Sequence, residues 1–223
     1  MTTPGQLVEA MADVLGILPS SVTQYDRVLA ENGLRSKGGR GTSAAKVTAA
    51  DAANLLLAVV ASPLSGTPIR EAARTCNAYG SLVELQRASW RENFPQFGLL
   101  TLAALPPGHS LRDALVALIE GASRKEFFRV PVPGERPLKA DSSFNIRFDA
   151  PRPWAEIAAD GSFEGNPDEM ARLVYVRPEE VKGFRKRNPL EKGDLHQTRY
   201  ISFATVRRLG SLLPPLAERK GGQ

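Results

Sequence analysis

The residues best suited to acid–base or covalent chemistry in this chain are few: His109, His196, Cys76 and the acid pairs Asp168-Glu169 and Glu179-Glu180. A cysteine nucleophile needs a thiolate beside an imidazole in a polar cleft. Cys76 instead falls on the apolar side of a helical stretch, where a thiol behaves as a small hydrophobe. His109 follows Pro107-Gly108 just ahead of a helix start, in a loop or near-cap position, and His196 precedes a strand. Neither has a second ligand at metal-pair spacing, and H-E-x-x-H is absent. Neighbouring acids rarely converge on one reacting centre, so the two pairs read as solvated surface. Lys37-Gly38-Gly39-Arg40-Gly41 has the glycines of a phosphate loop but not the strand–loop–helix frame ending in Lys-Ser/Thr. No catalytic residue, cofactor or metal is expected, and the expected chemistry is binding.

A second set of residues suits recognition of a polyanion. From Arg35 to Lys46 the chain carries Arg35, Lys37, Arg40 and Lys46, three interleaved glycines at 38, 39 and 41, and no acid. Glycines let a backbone approach a phosphodiester chain, and each neutralised phosphate releases condensed counterions. Just upstream, Ser21, Thr23, Gln24 and Arg27 are side chains of the type and length that read base edges or hold phosphates. A second basic centre, Lys182, Arg185, Lys186 and Arg187 around Phe184, has the composition to grip a phosphate backbone or an acidic protein surface. It opens a C-terminal stretch, 182–223, with 10 basic against 3 acidic residues, whereas 1–62 is balanced and the whole chain is +5.

The elements that must position these groups follow from local signals. Thr3-Pro4-Gly5-Gln6 has the form of a capping box with proline at the first helical position. Leu7, Met11, Val14 and Leu15 recur at helical spacing, Gly16 ends the helix, and Ile17 and Leu18 are expected to plug the core. Ser20 is the expected cap of a second helix running to about Asn32, with Val22, Tyr25, Val28 and Leu29 inward and Ser21, Thr23, Gln24 and Arg27 outward. Thr48-Ala49-Ala50-Asp51 opens a third helix, so the basic glycine-rich segment is anchored at both ends and suits a hairpin wing.

This order of helix, turn, S-V-T-Q-Y-D-R helix, basic wing and T-x-x-D helix resembles the winged helix-turn-helix of the MerR-like superfamily over about the first 60 residues. The resemblance implies that the second helix enters the DNA major groove, with Ser21, Thr23, Gln24 and Arg27 on the recognition helix, and that Arg35, Lys37 and Arg40 are wing contacts. Two departures narrow it. Asp26 stands where the family places a second aromatic after Tyr25, and Ser62-Pro63 interrupts the chain where the family continues into a long dimerising helix. MerR-style effector sensing is therefore not implied. Similar modules occur in excisionases and in terminase small subunits of tailed phages.

Beyond residue 62, helical patterning over 67–124 includes Thr67-Pro68 as a cap with Ile69, Ala72, Ala73 and Cys76 inward, a stretch from Leu82 to Trp90, and a helix opened by Ser110-Leu111-Arg112-Asp113. From 126 the period changes to two, at 128–132, 144–148, 154–157, 173–176 and 200–203, with Pro151 and Pro153 in a turn and a last helix over about 204–213. The expected class is α+β: an N-terminal winged helix-turn-helix (1–62), then an α+β domain (63–217, helical 67–124, sheet-rich 126–217) holding a small, mostly antiparallel sheet and a C-terminal helix, and a tail at 218–223. The absence of a long apolar run and of a signal-like N-terminus gives a cytoplasmic expectation with no membrane partner. The expected function is double-stranded DNA binding as a sequence-specific transcription regulator, as a homodimer through the C-terminal domain, which also offers a protein-docking surface. The alternatives are a phage-type packaging or recombination accessory protein and a protein-interaction module.

Overall fold

In a computed structural model the chain is described over residues 2–36, 46–63, 67–126, 143–163, 166–182 and 197–214. Among these, seven α-helices and a five-stranded antiparallel sheet form a mixed α+β fold. Helices α1 (Pro4–Leu15), α2 (Pro19–Glu31), α3 (Ala49–Val60) and α4 (Ala72–Gly80) precede strand β1 (Val83–Glu84), the short α5 (Leu100–Ala103) and α6 (Leu111–Ser123). Strands β2 (Ser143–Ala150), β3 (Trp154–Phe163), β4 (Asn166–Val176) and β5 (Gln197–Ser202) follow, then α7 (Phe203–Gly210). No helix among the described residues is long and apolar enough to cross a membrane.

Helix starts follow the local chemistry closely. Thr3 with Gln6, Thr48 with Asp51 and Ser110 with Asp113 each form a complete capping box, satisfying orphan N–H groups at the first turns of α1, α3 and α6. Gly16 ends α1 at φ +66°, the left-handed region that side chains avoid. Helix α2 departs from expectation: it begins at Pro19, whose fixed φ suits the first helical position, and no side chain caps it. The preceding Leu18 does not plug the core but is 69% exposed, while Ile17 packs inward. Helix α4 likewise starts at Ala72, after a turn over 68–71.

The stretch from Leu82 to Trp90 is not a helix. Leu82 and Leu85 are buried, but Val83 and Glu84 pair with Val176 and Tyr175 of β4, and residues 86–88 make one 3₁₀ turn. A two-residue pairing to a strand far along the chain has overridden a pattern that read as helical. The expected strand at 128–132 lies outside the described residues, whereas the other four expected segments lie within β2 to β5, 200–203 running one residue into α7.

The sheet order is β1-β4-β3-β2-β5, and Phe144, Ile146, Phe148, Ala155, Ile157, Ala159, Leu173 and Tyr175 turn one face onto the helices. That core is continuous from Leu7 on α1 to Leu209 on α7, so the residues on either side of the expected boundary at 62/63 share it. Helix α7 lies close on α6, where a Cβ at Gly210 would sit 2.8 Å from the Ile119 carbonyl oxygen. The hydroxyl of Thr2 donates to the Leu212 carbonyl and ties the start of the described chain to the end of α7.

One buried polar cluster braces β1, β4 and the loop before α6. His109 approaches the Pro106 carbonyl with Nδ1 (2.9 Å) and the Tyr175 hydroxyl with Nε2 (2.8 Å). A carbonyl only accepts, so Nδ1 carries the proton and Nε2 accepts from Tyr175. Glu84, buried, accepts from Arg91 (3.1 Å) and from the Gly108 N–H (2.9 Å). Burial pushes the His109 imidazole below its ordinary value of 6.5, although the Pro106 and Glu84 contacts pull the other way. The unfolded chain therefore takes up the proton first. The stabilisation from a neutral His109 is whole above pH 6.5 and is lost as pH falls toward the lower folded-state value. Denaturation of wild type and His109→Gln between pH 7 and 5 should show a steeper acid loss for wild type; parallel profiles would contradict this.

Candidate nucleic-acid interface

The basic segment leaves α2 through three consecutive anchored residues. The Leu34 carbonyl accepts from the Asn54 side-chain amide (2.8 Å), Arg35 lies against Asp26 (Nε to Oδ1, 3.0 Å), and the Ser36 N–H donates to Asp51 (2.6 Å). It returns through Val47, whose N–H donates to the Thr2 carbonyl (3.3 Å), and Thr48, whose N–H and hydroxyl donate to the same Asp51 carboxylate at 2.9 and 2.8 Å. Both roots thus meet at one side chain. Asp26, Asp51 and Asn54 are all buried, on α2 and the first turns of α3. Such groups are costly to bury unless each has its partners; Asp51 and Asn54 are hydrogen-bonded, whereas Asp26 Oδ1 and Arg35 Nε meet as an ion pair without hydrogen-bond geometry.

Arg35, expected as a wing contact, has a side chain that is 21% exposed and lies against the Asp26 carboxylate. Burial pushes Asp26 above the ordinary carboxylate range; Arg35 counters this and the nearby Asp51 adds to it. Asn54 is also held by Arg112 on α6 (Nε to Oδ1, 2.8 Å), and Arg112 reaches Asn77 on α4 (3.2 Å), so the root is braced from three helices. This brace has no sequence signature, because its members are far apart along the chain.

Helix α2 buries Val22, Tyr25, Asp26 and Leu29, which leaves Thr23, Gln24 and Arg27 exposed and Ser21 half-buried. Thr23 returns its hydroxyl proton to the Pro19 carbonyl (2.8 Å) and keeps its acceptor lone pairs. Arg27 pairs with Glu31 at 3.0 Å, but both side chains are mostly exposed (80% and 60%). An exposed pair of this kind is worth under about 1 kcal/mol, so a phosphate can displace it. Lys46 is exposed at the returning root, and Lys37 and Arg40 lie outside the described residues.

Of the second basic centre, Lys182 is among the described residues. Lys182 is exposed beyond the turn at Pro178–Glu180, which is bound to the β2–β3 connection through Arg152 and Glu180 (2.8 Å). Arg185, Lys186 and Arg187 lie outside the described residues. This end of the sheet also carries Arg199, which donates to the Val60 carbonyl (2.6 Å) in the last turn of α3. The anchored segment sits at the first turn of the same 12-residue helix, about 18 Å away along its axis.

Among the described residues, no group of three or more His, Cys, Asp or Glu side chains could hold a metal ion. Cys76 is buried against Asn54 and Arg112, and burial pushes its thiol up. Comparison of the chain with family models, curated proteins and solved structures finds no match.

Proposed function

We propose that this protein binds double-stranded DNA, with α1 and α2 as a helix-turn-helix of the MerR-like winged type. Helix α2 enters the major groove with Ser21, Thr23, Gln24 and Arg27, and the segment carrying Lys37, Arg40 and Lys46 follows the backbone as its wing. The observation that carries this reading is the double anchorage of that segment on Asp51, with Asn54 and Asp26 holding its outgoing root. A plain linker needs no buried polar anchors, whereas a loop that presents cations in register with a helix does. Arg35 belongs to the anchor in this assignment. The exposed row on α2 supplies groups that read bases, which suits a sequence-specific transcription regulator.

Fluorescence anisotropy with a random-sequence duplex tests the electrostatic part. Arg27, Lys37, Arg40 and Lys46 neutralising one phosphate each predict a slope near −3.6 in log K against log salt, or roughly a hundredfold loss between 50 and 200 mM. Absence of binding at low salt, or salt-independent binding, would overturn the proposal. Enrichment of one motif from a pool of duplexes is the outcome expected of a regulator.

A further inference from the structure

We infer that β5 is the interface between two copies of this chain, paired antiparallel about a two-fold axis at Tyr200. The sheet treats its two edges differently. The β1 edge is two residues long and flanked by isolated bridges, Val83 to Ser110 and Trp90 to Arg172, which cover it and the neighbouring part of β4. The β5 edge is six residues long, pairs with β2 along its whole length, and meets no strand on its other side among the described residues.

An open edge strand turns alternate N–H and C=O groups outward, about three of each here. Proteins usually blunt such an edge with proline, a charged side chain or a bulge. The sequence Gln-Thr-Arg-Tyr-Ile-Ser holds no proline or lysine, its register with β2 is unbroken, and its one charge, the half-buried Arg199, is turned to the α3 side and engaged by the Val60 carbonyl. Its outward face is instead suited to a partner strand: Thr198, Tyr200 and Ser202 are exposed, Tyr200 by 62%.

Chemistry selects the register. A two-fold axis normal to the sheet keeps each face on its own side, so directly opposite residues must come from the same face. Centring on Arg199 would set two guanidinium-bearing residues opposite one another, which is unfavourable. Centring on Tyr200 places it against Tyr200 of the partner subunit and sets Thr198 against Ser202 of the partner subunit, twice. An aromatic pair flanked by hydroxyl pairs is a favourable cross-strand set. The occupant is thus a second copy, and the product is a continuous ten-stranded sheet. This inference does not depend on DNA binding.

Light scattering of the full chain at micromolar concentration should give twice the 24.1 kDa chain mass. Tyr200→Lys, at an exposed position, should leave the circular dichroism spectrum unchanged and raise the dimer dissociation constant at least about tenfold through like-charge opposition. Under mild oxidation Tyr200→Cys should form a covalent dimer, and a mixture of Thr198→Cys and Ser202→Cys should form a covalent heterodimer. Buried Cys76 should give wild type no such product. A monomeric wild type means another occupant covers the edge and overturns the inference. So does a dimer that is indifferent to Tyr200→Lys or uncrosslinked by Tyr200→Cys.

Discussion

Asp51→Ala should lower the stability of this protein by about 2–4 kcal/mol and weaken its binding to duplex DNA at least about tenfold. The carboxylate is 5% exposed and accepts from the Ser36 N–H, the Thr48 N–H and the Thr48 hydroxyl. Truncation strands two backbone donors in a poorly solvated place and removes the acid that favours the first turn of α3. For a chain of this length the loss corresponds to a fall in Tm of roughly 5–15 °C. Asp51→Asn keeps one acceptor oxygen and should fall between the two. The loss of affinity arises because both roots of the basic segment are released at once, so its ordering must then be repaid on binding. A variant that is less stable but, while folded, binds duplex as wild type does would show that the anchors serve the fold alone.

How far this anchor was legible in the sequence depends on how local each contact is. Thr48 and Asp51 are three residues apart, and the capping-box pattern identifies both, as it does Thr3 with Gln6 and Ser110 with Asp113. The period-two patterns at 144–148 and 154–157 likewise mark strands that bury Phe144, Ile146, Phe148 and Ile157 against the helices. The use of Asp51 by Ser36, of Asn54 by Leu34 and of Asp26 by Arg35 spans nine to twenty residues and leaves no periodic trace. Arg35 therefore read as one more cation of a basic run. The buried cluster of Glu84, His109 and Tyr175 was hidden for the same reason. Where a local pattern and a distant pairing disagreed, at Leu82 to Trp90, the pairing with β4 prevailed.

The largest expected effect on binding comes from the two arginines of the proposed interface, Arg27 and Arg40. Arg27 on α2 is 80% exposed, and its partner Glu31 offers a weak, screened alternative to a phosphate. Arg40 falls in sequence between the two anchored roots at 34–36 and 47–48. Neither Arg27 nor its ion pair contributes to the buried core, so Arg27→Ala should leave folding intact. The two residues come from different elements, α2 and the segment after it. A joint effect of their loss thus reports on the composite surface and not on one helix.

The most direct test of the central claim is the salt dependence of duplex affinity, measured by anisotropy for wild type and for the Arg27→Ala/Arg40→Ala double variant. Loss of two phosphate contacts should flatten the slope of log K against log salt by about 1.8 and cost at least about tenfold in affinity at 50 mM salt. Thermal unfolding should be unchanged. A double variant with wild-type affinity and wild-type slope would contradict the assignment of α2 and the anchored basic segment as the DNA-binding surface.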